Sequence, residues 1–386
     1  MNGCLIAYVF VTSRTKQIYT LLMASLLHRR RFIHTLTGAV VAPAVARSIG
    51  SSIAGDLPQT SHIGTSMVVS KASYRLPEGI RQGTTVGVVA PASGVMPKDI
   101  KDFVALCQQW GVNVKMGPNI GKRSGYLAAS DRERADEFMR FIEDPTVNAI
   151  VCGRGGYGVM RILPMLDFAA IKQAGKLIMG FSDITALLIA VNQLSGLVTY
   201  HGPVASSTFD DFTTSSIKSV VRQLSATEVS PTTTTPMYAD PSLKVIAAGV
   251  GSGRLTGGNL AMIVSTLGTP YEIDTRDAVL FLEEISEEPY RVDRMLTQLR
   301  LAGKLQTCKA IAIGHFRDCE NRPRRYNEPS YSLSQVLDQL VGDLGIPCVY
   351  GLPFGHVRSK LTIPLGIQAE LNATERSLRL LEPAVV

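Results

Sequence analysis

Short apolar runs that end in small-residue turns and lead straight into amphipathic segments place the tightest limit on what this chain can fold into. Thr85-Val86-Gly87-Val88-Val89-Ala90 reads as a buried strand running into the turn Pro91-Ala92-Ser93-Gly94. Asp99 to Trp110 then carries Ile100, Phe103, Val104 and Cys107 on one helical face, and Val112-Asn113-Val114 reads as the next strand. Arg132 to Ile142 is a further helix and Ala149-Ile150-Val151-Cys152 a further strand. Strands that alternate with helices in this way require a parallel sheet covered on both faces, so the expected fold class is α/β with a Rossmann-like first half.

Composition changes between Ser206 and about Asp240, where Ser and Thr dominate and Pro231-Thr232-Thr233-Thr234-Thr235-Pro236 interrupts any periodicity. An exposed connection fits this stretch, and a boundary is placed near residue 240. Residues 77–240 then form an N-terminal domain and residues 241–386 a smaller α/β domain that is mixed and β-rich. In the second half Ala278-Val279-Leu280-Phe281-Leu282 is an expected strand, Arg291 to Ala302 a helix, Ala310 to Gly314 a strand and Ser334 to Leu344 a helix.

The first 46 residues read as a leader. His28-Arg29-Arg30-Arg31-Phe32-Ile33-His34 resembles a twin-arginine export signal, followed by an apolar stretch from Thr35 to Val45 and the small-residue pattern Ala44-Val45-Ala46. Export to the periplasm is the expectation, with a cytoplasmic location as its alternative. Residues 47–76 read as a flexible tether. Neither Leu5 to Val11 nor Thr35 to Val45 reaches the roughly 20 residues that a membrane-spanning helix needs.

Charge and cysteine usage narrow the function classes. The formal charge is +7, but Arg14, Lys16, Arg29, Arg30 and Arg31 sit in the leader without any acid, so removing those five leaves +2 for the rest. No basic stripe with interleaved aromatics remains for a nucleic acid. Cys107, Cys152, Cys308, Cys319 and Cys348 are scattered singly, an odd set without a C-x-x-C pair, which argues against a disulfide framework and a thiolate metal site. With no H-E-x-x-H spacing either, neither metal nor cofactor is expected.

Several turns carry chemistry of their own. Gly153-Arg154-Gly155-Gly156-Tyr157-Gly158 follows a strand and opens a helix, a pattern shared by tight connections, phosphate loops and oxyanion holes. Lys176-Leu177-Ile178-Met179-Gly180-Phe181-Ser182-Asp183 places Ser182 at a sharp strand-to-helix turn, where a serine is either an exposed nucleophile or a helix cap. Glu283-Glu284 stands at the end of an apolar strand, either facing a cleft or as a solvated pair. Outside the leader and tether the histidines are His201, His315 and His356, and spacing does not choose among them.

As a set these residues resemble the LD-carboxypeptidases of peptidase family S66, which include muramoyltetrapeptide carboxypeptidases and microcin C immunity peptidases. The resemblance spans residues 77 to 380. It rests on Val89-Ala90-Pro91-Ala92-Ser93, Arg154-Gly155-Gly156-Tyr157-Gly158, Gly180-Phe181-Ser182-Asp183, His201-Gly202-Pro203, Leu255-Thr256-Gly257-Gly258-Asn259-Leu260, Leu282-Glu283-Glu284, and Gly355-His356 ahead of Leu361-Thr362-Ile363-Pro364-Leu365-Gly366. It implies a catalytic triad of Ser182 as nucleophile, His356 as base and Glu283 as acid, with Glu284 the second choice for the acid. It further implies an oxyanion hole from the backbone amides of Gly156 and Asp183, and a site at the interface of the two domains. The implied reaction is hydrolysis of the amide that releases terminal D-Ala from a murein tetrapeptide, by a homodimer. Arg154 and Asn259 are candidates for binding the substrate's carboxylate. Two other readings stay open: a peptide-nucleotide immunity peptidase on the same fold, and an exported solute-binding protein whose glycine loop grips an anion.

Overall fold

The computed structural model describes residues 74–221, 236–320 and 329–386; the leader, residues 47–73 of the tether, residues 222–235 of the Ser/Thr-rich stretch and residues 321–328 lie outside the described residues. The described part of that stretch is not simply an exposed connection: Asp211–Val221 is a helix that buries Thr213, Ser216, Ile217, Val220 and Val221, a face whose hydroxyl residues hide it from a reading by composition. Among the described residues fourteen strands run in chain order: β1 (Thr85–Val89), β2 (Asn113–Met116), β3 (Ala149–Cys152), β4 (Leu177–Gly180), β5 (Thr199–His201), β6 (Tyr238–Ala239), β7 (Lys244–Ala247), β8 (Val250–Asn259), β9 (Ala278–Ile285), β10 (Ala310–Arg317), β11 (Cys348–Leu352), β12 (Ile363–Leu365), β13 (Gln368–Asn372) and β14 (Ser377–Leu380). They form two sheets.

The first sheet has the order β12-β5-β4-β3-β1-β2. All its pairs are parallel except β12 with β5. β3 and β4 are buried at every position, as expected of unbroken apolar runs in a sheet covered on both faces. Helices follow the strands, and their ends are written in the sequence. Ser130 and Glu133 form a reciprocal capping box at the start of Asp131–Glu143. Gly175 and Gly196, both with positive φ, stop Phe168–Ala174 and Thr185–Ser195.

The second sheet has the order β6-β14-β13-β8-β9-β10-β11-β7, with a parallel centre from β8 to β11 and antiparallel flanks. Its central strand β8 covers the glycine-rich Gly253 to Asn259, where glycine content hides the strand pattern from periodicity. β9 runs on to Ile285 because β10 continues beside it, pairing Phe316 with Glu284 and Arg317 with Ile285. Glu283 and Glu284 therefore lie inside a strand and point to opposite faces, and both are buried.

The two sheets share one contiguous apolar core. The chain returns from the second sheet to add β12 to the edge of the first, where Asn192 Nδ2 donates to Leu365 O at 3.1 Å. The helix Thr185–Ser195 starts against β8, with Asn259 N donating to Thr185 Oγ1 at 3.1 Å. Among the described residues no helix is long and apolar enough to cross a membrane.

Candidate active site

The turns that follow β1, β3 and β4 meet at the carboxyl edge of the first sheet, the edge at which open parallel sheets bind ligands. Ser182 follows β4 by two residues and has φ 65°, a left-handed conformation that an ordinary residue keeps only when its surroundings impose it. This turn leads through a short 3-10 segment into Thr185–Ser195 and holds the hydroxyl above the sheet. His356 Nε2 is 3.1 Å from Ser182 Oγ, and His356 Nδ1 is 2.7 Å from Glu283 Oε2. Gly355 makes the second contact possible: a Cβ there would stand 2.3 Å from Glu283 Oε2. Ser182, His356 and Glu283 thus form one hydrogen-bonded line, with Glu283 fully buried and His356 15% exposed.

The glycine loop after β3 lies directly against the serine. A Cβ on Gly155 would come within 2.9 Å of Ser182 Cβ, and one on Gly156, whose φ is 105°, within 2.3 Å of Ser93 Oγ. Gly156 N–H has no acceptor among the described residues. The Asp183 amide sits near the start of a helical segment, where backbone donors lack intrahelical partners. Three side chains fix this loop. Ser93 Oγ donates to Tyr126 O at 2.7 Å and accepts from Tyr157 N at 3.2 Å. The Asp183 carboxylate accepts from Val159 N at 2.9 Å. Buried Arg134 donates to Gly158 O at 2.9 Å and also to Pro91 O. Arg134 carries no signal of this role in the sequence, where it looks like a solvated helix residue, because the turns at Pro91 and Gly158 that meet it are distant in the chain.

The remaining predicted residues fall in different places. Arg154 is exposed on the same loop. Asn259 is buried and occupied: its Oδ1 accepts from Met262 N at 3.2 Å as a helix cap, and its Nδ2 donates to Glu284 Oε1 at 3.2 Å. Glu284 faces away from His356 and also accepts from Ala261 N and Ile285 N. His315 is exposed on β10 with its ring 6.3 Å from that of Tyr350, and His201 is buried beside Glu283.

Electrostatics separate the two adjacent acids. Burial pushes the Glu283 carboxyl up, but the neighbouring imidazoles outweigh it and hold the group well below the ordinary carboxylate range. Burial also raises Glu284, and the charge on Glu283 adds to that against its N–H donors, leaving it at about 7. Lys360, which no motif suggested, is only 5% exposed, and its Nζ lies 4.9 Å from the centre of the Phe181 ring. That ring also meets His356 edge to face at 5.0 Å. Lys360 Nζ has no hydrogen bond or ion pair among the described residues, and burial lowers the ammonium to about 8. No cluster of His, Cys, Asp and Glu suited to a metal ion occurs among the described residues.

A two-sheet α/β protein with a Ser-His-Glu line at its strand ends is the class that fold and site define. The chain belongs to the LD-carboxypeptidase family: residues 86–202 match the LD-carboxypeptidase N-terminal domain and residues 252–371 the C-terminal domain. It is 38% identical over 309 residues to the probable murein peptide carboxypeptidase of Bacillus subtilis, covering 78% of this chain and 92% of the relative. The crystal structure of muramoyltetrapeptide carboxypeptidase from Oxalobacter formigenes superimposes with a TM-score of 0.65 at 32% identity, covering 77% of this chain and 98% of that one. The microcin C7 self-immunity protein MccF of Escherichia coli is 28% identical over 78% of this chain and 94% of its own length.

Proposed function

We propose that this protein is a serine carboxypeptidase that removes the terminal D-Ala from a murein tetrapeptide. The observation that carries the reading is the unbroken line from Ser182 Oγ through His356 to the buried Glu283, beside an unpartnered Gly156 amide. His356 takes the hydroxyl proton as Ser182 attacks the amide carbonyl, then passes it to the departing amine of D-Ala. Glu283 holds the imidazole with Nε2 toward the serine and stabilises its charged form. The amides of Gly156 and Asp183 receive the developing oxyanion, where one good donor is worth about 100- to 1000-fold in rate. Water entering the site released by the amine then attacks the acyl-enzyme with His356 again as base.

A carboxypeptidase substrate ends in a carboxylate that must be met by a cation. Lys360, buried beside Phe181 and drawn by the charges of Asp210 and Glu283 but in no direct ion pair among the described residues, suits that role, and exposed Arg154 stands on the glycine loop. The names of the Bacillus subtilis and Oxalobacter formigenes relatives support murein peptide as the substrate. The similarity to MccF keeps an aminoacyl sulfamoyl nucleoside, of the kind bound in its crystal structure, as the second reading.

Incubation of the full chain with a murein tetrapeptide, followed by mass spectrometry, should show loss of one alanine, and Ser182→Ala should show none. Intact tetrapeptide together with cleavage of glutamyl sulfamoyl guanosine would replace this reading with the second one.

A further inference from the structure

His201 ends β5 of the first sheet, whereas Glu283 belongs to β9 of the second, yet His201 Nε2 lies 3.8 Å from Glu283 Oε1. Both side chains are buried, His201 at 1% exposure and Glu283 at 0%. Glu283 Oε2 is taken by His356, but Glu283 Oε1 and both ring nitrogens of His201 have no hydrogen-bond partner among the described residues. Buried polar atoms without partners are rare in folded proteins and need a reason. Here the unpartnered donor site and the unpartnered acceptor face each other. The gap is too wide for a hydrogen bond and too narrow for a water to stand between the two atoms, so a shift of about 0.8 Å closes it to ordinary length.

The surroundings leave His201 few other uses. Phe181, Phe281 and Phe354 meet its ring edge to face at 6.1, 5.3 and 6.3 Å between ring centres. They fix the plane of the imidazole without offering a carbonyl or carboxylate in place of Glu283. Phe181 directly precedes Ser182, so the wall that orients His201 is continuous with the nucleophile's turn.

We propose that His201 is a positioning residue that donates from Nε2 to Glu283 Oε1, extending the line to Ser182-His356-Glu283-His201. With one hydrogen bond, the Glu283 carboxylate can rotate away from His356; with two, it is held in the plane that presents Oε2 to Nδ1. Because His201 comes from the sheet that carries Ser182, the same bond ties the acid of one sheet to the nucleophile of the other. The inference rests on the reading of Ser182, His356 and Glu283 as the reacting line, but not on the identity of the substrate.

Phosphonylation of Ser182 by a fluorophosphonate, in which the serine oxygen bonds to phosphorus as fluoride leaves, tests it without a murein substrate. His201→Phe keeps an aromatic ring among the three phenylalanines and removes the donor. The maximal labelling rate should fall about 10- to 100-fold, the range expected for losing a hydrogen bond to a charged group, while the half-saturating probe concentration stays unchanged. His201→Gln, which restores an N–H, should recover most of the rate. In a Glu283→Gln background, His201→Phe should cost little more, since the two residues act as one unit. Labelling of His201→Phe at the wild-type rate, or an equally large loss in the Glu283→Gln background, overturns the proposal. A native chain that is not labelled at Ser182 overturns the triad reading and this proposal with it. Should His201→Phe fail to fold, imidazole nitrogen NMR of the native chain decides: a solvent-protected Nε2 proton on His201 that shifts in Glu283→Gln supports the bond, and its absence overturns it.

Discussion

Ser182 carries a positive φ, and its neighbours are chosen to let it do so. Gly155 approaches so closely that any side chain would push on Ser182 Cβ. Gly155→Ala should therefore lower kcat by about 100-fold through displacement of the nucleophile, with little change in KM, because misplacement of a reacting group by around 1 Å costs that much. Glu283→Gln keeps the shape but not the charge that stabilises the imidazolium, and kcat should drop by about 1,000- to 10,000-fold while the chain stays folded. Lys360 makes a prediction about pH. Its ammonium is lowered from 10.5 to about 8 in the folded chain, so between those values the unfolded chain binds more protons and stability rises with pH. Below about 8 the folded chain bears the full cost of a buried cation, at most about 3 kcal/mol. Lys360→Met should thus raise Tm at pH 7 and flatten the slope of stability between pH 8 and 10.5. The same variant should raise KM by about 10-fold for a peptide ending in a carboxylate and leave unchanged that of its C-terminal amide.

At the scale of elements, the helix Asp131–Glu143 does more than cover the sheet. Its buried Arg134 bonds to the turns after β1 and β3, and its buried Glu137 accepts from Ala90 N at 2.8 Å and Asn119 N at 2.7 Å. The helix is an anchor for the turns that meet around Ser182. Ser130→Ala, which removes a capping hydroxyl whose bonds run only to Glu133, should cost about 1 kcal/mol in denaturant unfolding and leave kcat unaltered. β1, β3, β4 and the helix Asp131–Glu143 are legible in the sequence because their apolar runs are unbroken or their caps explicit, whereas the helix Asp211–Val221 is not, because the Ser and Thr on its buried face read as an exposed connection. β8 was not, since its glycines carry no pattern, and the end of β9 was placed short because Glu283 and Glu284 read as polar. Partner strand β10 and the buried donors around the two acids override that local signal.

At the scale of the molecule, neither sheet is self-sufficient. The first sheet borrows its edge strand β12 from residues 363–365, and the core runs through both sheets without a break. Residues 74–221 expressed without the rest should aggregate, because the β5 edge would be bare and the apolar face of Thr185–Ser195 uncovered. Co-expression with residues 236–386 should restore solubility and Ser182 labelling, as read by size-exclusion chromatography and fluorophosphonate reaction. Ser182 comes from one sheet and Glu283 from the other, with His356 on the segment that leads back to β12.

The order of motifs along the chain determined the α/β class, the family, and the short roster of serine, acid and histidine candidates, because those depend on local residue types and spacing. Only the tertiary structure decided among them. It brought His356 rather than His315 to the serine, put Glu283 rather than Glu284 on the face that meets it, committed Asn259 to a helix cap, and left Lys360 buried without a direct ion pair among the described residues. Those outcomes depend on which strand face is covered and what lies opposite across two sheets, and residues so far apart in the chain exchange no signal until the sheets close on one another.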